Sequence, residues 1–250
     1  MKISIITPTF NSENTIGDNI NSILLQKYQD WEQIIIDNKS IDSTLDLIKE
    51  YNNNKIKIIS EEDNGIYDAI NKGIVHATGD VISILHSDDF YYDQNTLESI
   101  VTCFSQYNSD IVYGDLIYVR KLNKDKVLRY WESSEFKKDN FYKGWSPPHP
   151  SFFVKKKVHN EFGYYDNTLG NPADIELMFR FLEKNKIQSK YLNKKLVIMR
   201  YGGSSNNNLK NILKQNLTIL KILSINFNYF KIIRFFYYKI INRIKQFLKK

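Results

Sequence analysis

The sequence has 250 residues, of which 42% are hydrophobic, and this suits one sizeable α/β domain with an appendage. Its single cysteine, Cys103, excludes an intramolecular disulfide and fits a reducing compartment. The sequence contains no apolar stretch of about 18 residues and no cleavage site after its first apolar run, so neither a membrane-spanning helix nor a signal peptide is predicted.

The net charge of +7 is distributed unevenly along the chain. Residues 204–250 contain ten Lys or Arg residues and no Asp or Glu, which leaves 25 basic and 28 acidic residues in 1–203. The body is therefore mildly acidic, and the C-terminal tail is strongly basic. This asymmetry predicts an anionic partner for the tail and disfavours a nucleic-acid-binding body.

The first hundred residues are predicted to alternate strands and helices. The predicted strands are 3–7, 33–37, 55–59 and 81–85, and the predicted helices are 12–26, 43–51, 66–77 and 94–104. Continuous apolar strands between amphipathic helices are typical of a parallel sheet that is covered on both faces. The sequence lacks glycine-rich dinucleotide and P-loop motifs, which disfavours a dinucleotide oxidoreductase or a P-loop enzyme.

The next hundred residues are predicted to contain shorter strands. These strands are 111–113, 116–120, 127–131, 151–154, 190–192 and 197–201, with one helix at 174–183. A proline-rich loop at 144–150 contains Trp145 and His149. The segment 202–208, rich in Gly, Ser and Asn, is predicted to separate this part from the tail.

The predicted strand 81–85 leads directly to the adjacent carboxylates Asp88 and Asp89. Such a position lies at the carboxyl edge of a sheet, where α/β folds bind ligands. Paired carboxylates there repel each other unless a cation joins them, and Mg²⁺ or Mn²⁺ prefers carboxylate oxygen. The alternative is that these residues cap the helix predicted at 94–104.

Residues 228–250 have apolar and aromatic side chains on one side and Lys or Arg on the other, at helical spacing. This pattern predicts an interfacial helix on anionic lipid. The alternative is a helix that packs on its own body or on a partner. RNA binding is less favoured, because the tail contains no known RNA-binding module.

Several motifs resemble those of family 2 glycosyltransferases, in particular the colanic-acid-type subgroup that builds bacterial surface polysaccharides. They are I-I-T-P-T-F-N at 5–11, I-I-I-D-N-K-S-I-D-S-T at 34–44, E-D-N-G-I-Y-D-A-I-N-K-G at 62–73, S-D-D at 87–89, and A-D at 173–174 followed by Leu177 and Arg180. The resemblance covers about residues 2–203. Two positions depart from the family pattern, where Ser87 and Ala173 each replace an acid.

The resemblance implies a GT-A (nucleotide-diphospho-sugar transferase) fold, an α/β architecture with a mostly parallel central sheet flanked by helices. The glycosyltransferase domain is then expected at 1–203, with a nucleotide-sugar-binding half at 1–110 and an acceptor-binding half at 111–203. Residues 204–250 form the basic amphipathic helical tail, for which we expect membrane association.

The resemblance also assigns residues to the nucleotide-sugar. Thr7, Pro8 and Thr9 are expected to line the base pocket, and Asp37 is expected to accept the imide N–H of uracil; capping a helix near Asp42 is its alternative role. The full expected donor-binding set is Thr7, Pro8, Thr9, Asn11, Asp37, Asn64, Gly65, Asp68, Lys72, Ser87 and Asp88. For Asp68 and Lys72, an exposed ion pair is the alternative.

Asp89 is the expected metal ligand, for Mn²⁺ or Mg²⁺, and Asp88 is expected to face the ribose. Asp174 is expected to be the general base that takes the acceptor proton, with a helix cap as the alternative. Trp145 and His149 are candidate contacts of the acceptor or a phosphate. A structural role remains the alternative for both, since an aromatic or a lone His often belongs to the core.

The sequence therefore predicts an inverting glycosyltransferase that moves a sugar from a UDP-sugar to a hydroxyl of a lipid-linked glycan. We expect it in the cytoplasm, peripheral at the inner face of the plasma membrane, without nucleic acid; a homodimer is compatible with the sequence. One alternative is a catalytically inactive scaffold of a polysaccharide assembly complex. Another is a sugar nucleotidyltransferase, which residues 7–14 disfavour because they lack a glycine- and Lys/Arg-rich phosphate loop.

Overall fold

The computed structural model describes residues 1–120, 123–202, 209–223 and 229–248. In these ranges one sheet is flanked by helices, as predicted for an α/β protein. Its strands are β1 (Ile3–Thr9), β2 (Trp31–Asp37), β3 (Ile56–Ser60), β4 (Val81–Ile84), β5 (Phe90–Tyr91), β6 (Ile111–Arg120), β7 (Asn123–Trp131), β8 (Phe152–Lys155) and β9 (Ser189–Arg200). The helices are α1 (Ile16–Leu24), α2 (Thr44–Glu50), α3 (Ile66–His76), α4 (Thr96–Tyr107), α5 (Lys156–Phe162), α6 (Ala173–Phe179), α7 (Leu209–Ile222) and α8 (Tyr229–Leu248). The predicted boundary at 203/204 lies outside the described residues.

The sheet has the strand order β3-β2-β1-β4-β8-β6-β9-β5, with β7 paired to β6. Strands β3, β2, β1 and β4 are parallel neighbours, so their carboxyl ends meet at one edge. Strand β8 is antiparallel to both β4 and β6, whereas the long pairing of β6 with β9 is parallel. The antiparallel strand β8 therefore joins the two parallel parts of the sheet, while β5 and β7 are antiparallel strands at its margins.

Alternate side chains of the apolar strands pack on opposite faces of the sheet. Ile6 on β1 packs with α3, including Ile70, whereas Ile5 packs with Ile23 of α1 and with residues of α4. This division follows from the two-residue period of a strand, and it explains why β1 and β2 are apolar on both faces.

Two pairs of predicted strands are single strands in the structure. The segments 111–113 and 116–120 form one strand, β6, and 190–192 and most of 197–201 belong to β9, which ends at Arg200. The register between these two strands shifts beside Gly114. A Cβ atom at Gly114 would lie 2.5 Å from Leu196 Cδ1, so the missing side chain lets the strands pack closely at the irregularity.

The helix predicted at 94–104 begins at Thr96, after the short strand β5. Asp93 stabilises the start of this helix, because its carboxylate accepts a hydrogen bond of 2.8 Å from the Asn95 N–H. The alternative role of Asp88 and Asp89 as caps of this helix is therefore wrong, because β5 separates them from it.

Helices α7 and α8 pack against the rest of the protein. Leu220, Leu223 and Phe235 are buried in the same core as α3 and α6. Helix α8 runs along β7 and along a short 3₁₀ turn at Phe141–Lys143. In the part of the chain that the structure describes, no helix is long and apolar enough to cross a membrane.

Candidate functional site

The predicted donor residues gather at the carboxyl edge of the parallel strands. Asp37 ends β2 and is in register with Thr9, which ends β1. Strand β4 pairs with β1 and ends at Ile84, shortly before Asp88 and Asp89. Parallel pairing therefore brings residues that are far apart in the sequence to one edge, as the sheet pattern predicts.

Asp89 is fully buried, and among the described residues neither carboxylate oxygen has a hydrogen-bonding partner of ordinary geometry. Burial raises the pKa of Asp89 well above its usual range, and the charge of Asp88 adds to the effect. The backbone N–H and the charge of Arg200 lower this pKa in part. A buried carboxylate without a partner is unfavourable, and a hard divalent cation would relieve it.

The residues therefore fit the predicted Mn²⁺ or Mg²⁺. The described ranges contain no group of three or more His, Cys, Asp or Glu residues placed to hold a metal. A cation at Asp89 would take most of its ligands from a diphosphate and from water, as Mg²⁺ sites with one or two carboxylates do.

The loop that contains Asp89 is held by a buried amide network that the sequence analysis missed. Asn19 donates through Nδ2 to the carbonyl oxygens of His86, at 2.8 Å, and Asp89, at 3.0 Å. Gln33 donates in turn to Asn19 Oδ1 at 2.8 Å and to Thr7 Oγ1 at 3.0 Å. The signal in the sequence was an amide side chain among apolar ones. Asn19 lies on the same face of α1 as Ile16, Ile20 and Ile23, and Gln33 lies within the apolar strand β2.

Arg200 and Ser12 hold the same loop from two further sides. Arg200 is buried and donates to the Asp88 carbonyl and to the Asp18 carboxylate. The Ser12 and Ser87 hydroxyls share a hydrogen bond of 2.8 Å. Ser87, which replaces the family acid, thus joins the end of β4 to the loop after β1.

Asp37 is fully buried and already bonded on both oxygens. Its Oδ2 accepts from Ser60 Oγ at 2.7 Å and from the Ser40 N–H at 3.1 Å, and Ser40 Oγ donates to Oδ1. Helix α2 is instead capped by Asp42, which accepts from the Thr44 N–H at 3.1 Å. The alternative role of Asp37 as a helix cap is therefore wrong, and its contact with uracil remains a prediction.

The other residues predicted at the base pocket lie at the end of β1. Thr7 and Thr9 are buried, and Thr9 Oγ1 donates to the Thr7 carbonyl at 3.1 Å. Asn11 has a left-handed backbone, with φ of 45°, and its Oδ1 accepts from the Ile41 N–H at 3.0 Å. These bonds fix the two loops against each other, while contact of Thr7, Pro8, Thr9 or Asn11 with a donor remains a prediction.

The 62–73 segment forms a turn followed by α3. Gly65 precedes the helix with φ of 107°, a conformation that favours glycine. Asp68 accepts from the Asn64 N–H at 3.0 Å and lies 3.6 Å from Lys72 Nζ. Lys72 also contacts Glu61 at 3.1 Å. Asp68 and Lys72 therefore stabilise the turn, and a role for Asn64, Gly65, Asp68 or Lys72 in donor binding remains a prediction.

Asp174 lies in a cavity of about 460 Å³ beside the sheet edge. The cavity is lined by Ile66, Tyr67, His86, Tyr118, Trp131, His149, Pro150, Asn171, Pro172, Asp174, Ile175, Met199, Gln215 and Ile219. Burial raises the pKa of Asp174 to about 7, although the Ile175 N–H and the charge of Lys239 lower it in part. A carboxylate with this pKa is suited to accept a proton near neutral pH.

His149 lies in the same cavity wall and is buried. Its Nε2 shares a hydrogen bond of 2.7 Å with the Tyr165 hydroxyl, and its ring lies 6.0 Å from that of His86. Burial lowers the pKa of His149 to about 3, so the ring is neutral at physiological pH. His149 is therefore suited to hydrogen bonding with a ligand but not to neutralising a phosphate charge.

Tyr165 is itself held by the 62–73 segment. Asn71 donates to the Tyr165 carbonyl at 2.8 Å and accepts from its N–H at 3.0 Å. The Tyr67 ring stacks on that of Tyr165, with centroids 5.4 Å apart, and the Tyr67 hydroxyl donates to the Asn171 carbonyl at 3.0 Å. The motif I-Y-D-A-I-N thus shapes the Asp174 cavity, a role that the sequence analysis did not assign to it.

Trp145 does not line the Asp174 cavity. It packs edge-on against Phe141 and Tyr113 in an aromatic cluster. Part of it lines a second cavity, of about 480 Å³, next to helix α8. The structure thus separates Trp145 from His149, which the sequence had placed in one loop.

The model of the family described as glycosyl transferase family 2 matches residues 4–156. A PGL/p-HBAD biosynthesis glycosyltransferase of Mycobacterium tuberculosis is 29% identical over 210 residues, which cover 81% of this chain and 78% of that protein. The UDP-Glc:alpha-D-GlcNAc-diphosphoundecaprenol beta-1,3-glucosyltransferase WfgD of Escherichia coli is 34% identical over 114 residues, 45% of each protein.

Solved structures with the same architecture include TarS of S. aureus in complex with UDP-GlcNAc. Its TM-score is 0.66 with 18% identity, over 88% of this chain and 67% of that one. The mannosyltransferase PcManGT of Pyrobaculum calidifontis, in complex with GDP-Man and Mn²⁺, has a TM-score of 0.62 with 14% identity, over 89% and 63%. At these identities the likeness concerns the fold, and it confirms the predicted GT-A architecture.

Proposed function

Because this chain belongs to glycosyl transferase family 2, we propose that it moves a sugar from a UDP-sugar to a hydroxyl group of a lipid-linked glycan. The observation that carries the proposal is the buried Asp89 carboxylate at the carboxyl edge of the sheet, near the Asp174 cavity, because its oxygens accept no hydrogen bond of ordinary geometry from the described residues. UDP is favoured because TarS, a structural neighbour, binds UDP-GlcNAc. A lipid-linked acceptor is favoured because the name of WfgD gives a diphosphoundecaprenol-linked one.

The donor is proposed to bind along the ends of β1, β2 and β4. Asp89 would hold Mn²⁺ or Mg²⁺, with Asp88 beside it facing the ribose. When bound, the cation would supply Lewis-acid stabilisation of the charge on the departing diphosphate. The base would lie near Pro8, Thr9 and Asp37, and the imide N–H of uracil would replace one of the hydrogen bonds that Asp37 accepts from Ser40 and Ser60.

Asp174 is proposed as the general base for a single displacement. The acceptor hydroxyl oxygen forms a bond to the anomeric carbon while its proton passes to Asp174, and the bond from that carbon to the diphosphate oxygen breaks. Because the acceptor attacks opposite the leaving group, the configuration inverts. One base is then sufficient, and no second carboxylate is needed as a nucleophile.

The C-terminal helices are proposed to hold the enzyme at a bilayer surface. Helix α8 exposes five apolar side chains, each 45% to 60% exposed, at spacings of three and four residues: Ile233, Tyr237, Ile240, Ile244 and Phe247. We call this set the α8 stripe. Arg234, Arg243 and Lys245 are exposed beside it. Apolar side chains flanked by basic ones favour an anionic lipid surface, each basic residue contributing about 1 kcal/mol.

Thermal unfolding with nucleotides tests the donor site. We expect UDP with Mn²⁺ to stabilise the protein by about 2.7 kcal/mol at one hundred times its Kd, and GDP, CDP and ADP to stabilise it less. Asp89→Ala should abolish the Mn²⁺-dependent part. The matched control Asp46→Ala, at an exposed carboxylate on α2, should retain it. A flat response of the wild type to all four nucleotides would favour the inactive scaffold.

Inversion can be tested without the natural acceptor, because water can replace it. We expect slow hydrolysis of UDP-glucose, which has an α linkage, to release β-glucose first, as followed by proton NMR before mutarotation. First release of α-glucose would contradict the single displacement. Asp174→Asn should slow hydrolysis by about a hundredfold or more, the usual contribution of a general base.

A further inference from the structure

A second cavity, of about 480 Å³, lies between strand β7 and helix α8. Its lining includes Tyr130, Trp131, Trp145, Asn242, Lys245 and Gln246. We call it the β7–α8 cavity. Trp131 lines both this cavity and the one that contains Asp174, so the two are direct neighbours.

The side chains of the β7–α8 cavity combine aromatic rings with uncharged polar groups. Tyr130, Trp131 and Trp145 supply the rings, while the amides of Asn242 and Gln246 supply donors and acceptors. A pyranose ring has apolar C–H faces that pack on an aromatic ring and a rim of hydroxyl groups that exchange hydrogen bonds with amides. This combination therefore favours a sugar over a lipid chain, which has no hydroxyl rim.

Several polar atoms of the cavity retain hydrogen-bonding capacity. Trp145 Nε1 is buried and has no partner within the described residues. Gln246 uses Oε1 to accept from Arg129 Nε at 2.6 Å, and Asn242 uses Nδ2 on the Lys143 carbonyl at 3.4 Å. Each amide carries both a donor and an acceptor group, and within the described residues Gln246 Nε2 and Asn242 Oδ1 are left for a ligand.

The charge of the cavity disfavours a second diphosphate site. Lys245 and Glu132 both line it, so the charges of its walls largely cancel. The C-terminal tail also contributes to the wall of the Asp174 cavity, since Gln215 and Ile219 of α7 line it. The C-terminal helices thus form one wall of both cavities.

We propose that the β7–α8 cavity binds a second sugar ring of the acceptor, adjacent to the ring whose hydroxyl reacts at Asp174. The proposal rests on the proposed glycosyltransferase function and adds that α7 and α8 complete the acceptor site. Helix α8 packs closely against this part of the protein, since Gly144 has φ of 63° and a Cβ atom on it would lie 2.8 Å from Lys239 Cβ. The enzyme would then distinguish a disaccharide terminus from a single sugar.

The test compares the binding of disaccharides and single sugars, measured by saturation-transfer NMR in the presence of UDP and Mn²⁺. The probes are methyl glycosides of glucose, galactose and N-acetylglucosamine, together with their β-1,3- and β-1,4-linked disaccharides. We expect at least one disaccharide to bind tenfold or more tightly than either of its component monosaccharides. If no disaccharide gains tenfold, the proposal is wrong.

Two variants test whether the tighter binding of the disaccharide depends on the β7–α8 cavity. Asn242→Ala removes one amide, and Trp145→Phe removes Nε1 while an aromatic ring remains in the cluster. Each should reduce the gain to threefold or less, whereas Arg234→Ala, on the exposed side of α8, should preserve it. A gain that survives Asn242→Ala in a folded protein overturns the proposal, even if Trp145→Phe does not fold.

The same samples distinguish this proposal from the function on which it rests. UDP binding with Mn²⁺ depends on the ends of β1, β2 and β4, and neither variant lies there. UDP binding without a disaccharide gain would overturn only the second sugar site. Absence of UDP binding in the wild type would count against the proposed function.

Discussion

Gln33 Nε2 donates a hydrogen bond of 2.8 Å to Asn19 Oδ1, and both side chains are fully buried. This bond fixes the amide of Asn19, because the oxygen must face Gln33 and the nitrogen must face the loop after β4. The Asn19 nitrogen then donates to the carbonyl oxygens of His86 and Asp89. A side chain on α1 and one on β2 thus position the carboxylate that we propose as the metal ligand.

Asn19→Leu should destabilise the protein and weaken metal-dependent donor binding. The leucine would leave the carbonyls of His86 and Asp89 without this donor, and we expect a loss of about 2–4 kcal/mol in the free energy of unfolding, measured in urea. UDP affinity in Mn²⁺ should fall at least tenfold by calorimetry. Leu25→Ala, at a side chain 69% exposed at the end of the same helix, is the control and should change neither. Unchanged UDP affinity in Asn19→Leu would show that Asp89 does not depend on this network.

Asp89→Asn should stabilise the protein when neither metal nor nucleotide is present. The folded-state pKa of Asp89 is raised, so the wild-type protein is most stable below the ordinary carboxyl pKa, where Asp89 is protonated. It loses that stability as the pH rises through the folded-state pKa. The stability advantage of the variant over the wild type should therefore increase as the pH rises above the ordinary carboxyl range, as measured by thermal unfolding in EDTA. A wild type that exceeds the variant at high pH would contradict a charge buried without a partner.

The activity should depend on the ionisation of Asp174. Its pKa of about 7 means that the base form increases as the pH rises, so kcat/KM should increase with a midpoint near pH 7 and level off about one unit above it. UDP-glucose hydrolysis across pH 5.5–9 provides the profile. A rate that falls steadily through this range would contradict a carboxylate base.

Lys239 on α8 should influence the pH at which the activity rises. Its positive charge lowers the pKa of Asp174, and burial lowers the pKa of Lys239 itself to about 8. Lys239→Met should therefore shift the rise in activity to higher pH, by half a unit or more, without changing UDP affinity. Lys221→Met, at an exposed lysine on α7, is the control and should leave the profile in place. A lower plateau at an unchanged midpoint would indicate only a structural role for Lys239.

The α8 stripe should determine binding to anionic vesicles. The double variant Ile240→Glu, Ile244→Glu places two acids among the exposed apolar side chains and should reduce flotation with vesicles of one-third phosphatidylglycerol at least tenfold. Val75→Glu, at an exposed apolar residue on α3, should have no effect. The proposal would be contradicted if the wild-type protein does not float and instead forms a dimer that the double variant does not form. The α8 stripe would then be an interface with a second copy of the chain.

The parallel half of the fold could be predicted because its signals are local. Ile5 and Ile6 are consecutive apolar residues that enter different cores, and a two-sided apolar strand of this kind is typical of a covered parallel sheet. In the second half the breaks at Gly114 and near Lys194 were mistaken for strand ends. They are irregularities within β6 and β9, where the strands remain paired on both sides.

The site could be predicted only in part. Asp37 ends one strand and Asp88 and Asp89 follow another, and a parallel sheet must bring such residues to one edge. Asn19 and Arg200 were missed because their roles depend on distant backbone atoms, and an amide or a guanidinium in a sequence does not reveal which carbonyl it contacts. The wall that α7 and α8 contribute to the cavities was missed for the same reason.

The sequence by itself determined the α/β class, the position of the acids after β2 and β4, and the amphipathic tail, because periodicity and chain order are properties of neighbouring residues. Only the tertiary structure decided that Asp89 is buried without a hydrogen bond of ordinary geometry from the described residues, and that Asp174 has a pKa of about 7. It also decided that α8 faces the β7–α8 cavity with one side while exposing the α8 stripe on the other. Burial and pKa depend on atoms contributed by elements far apart in the chain, and these atoms come together only in the folded protein.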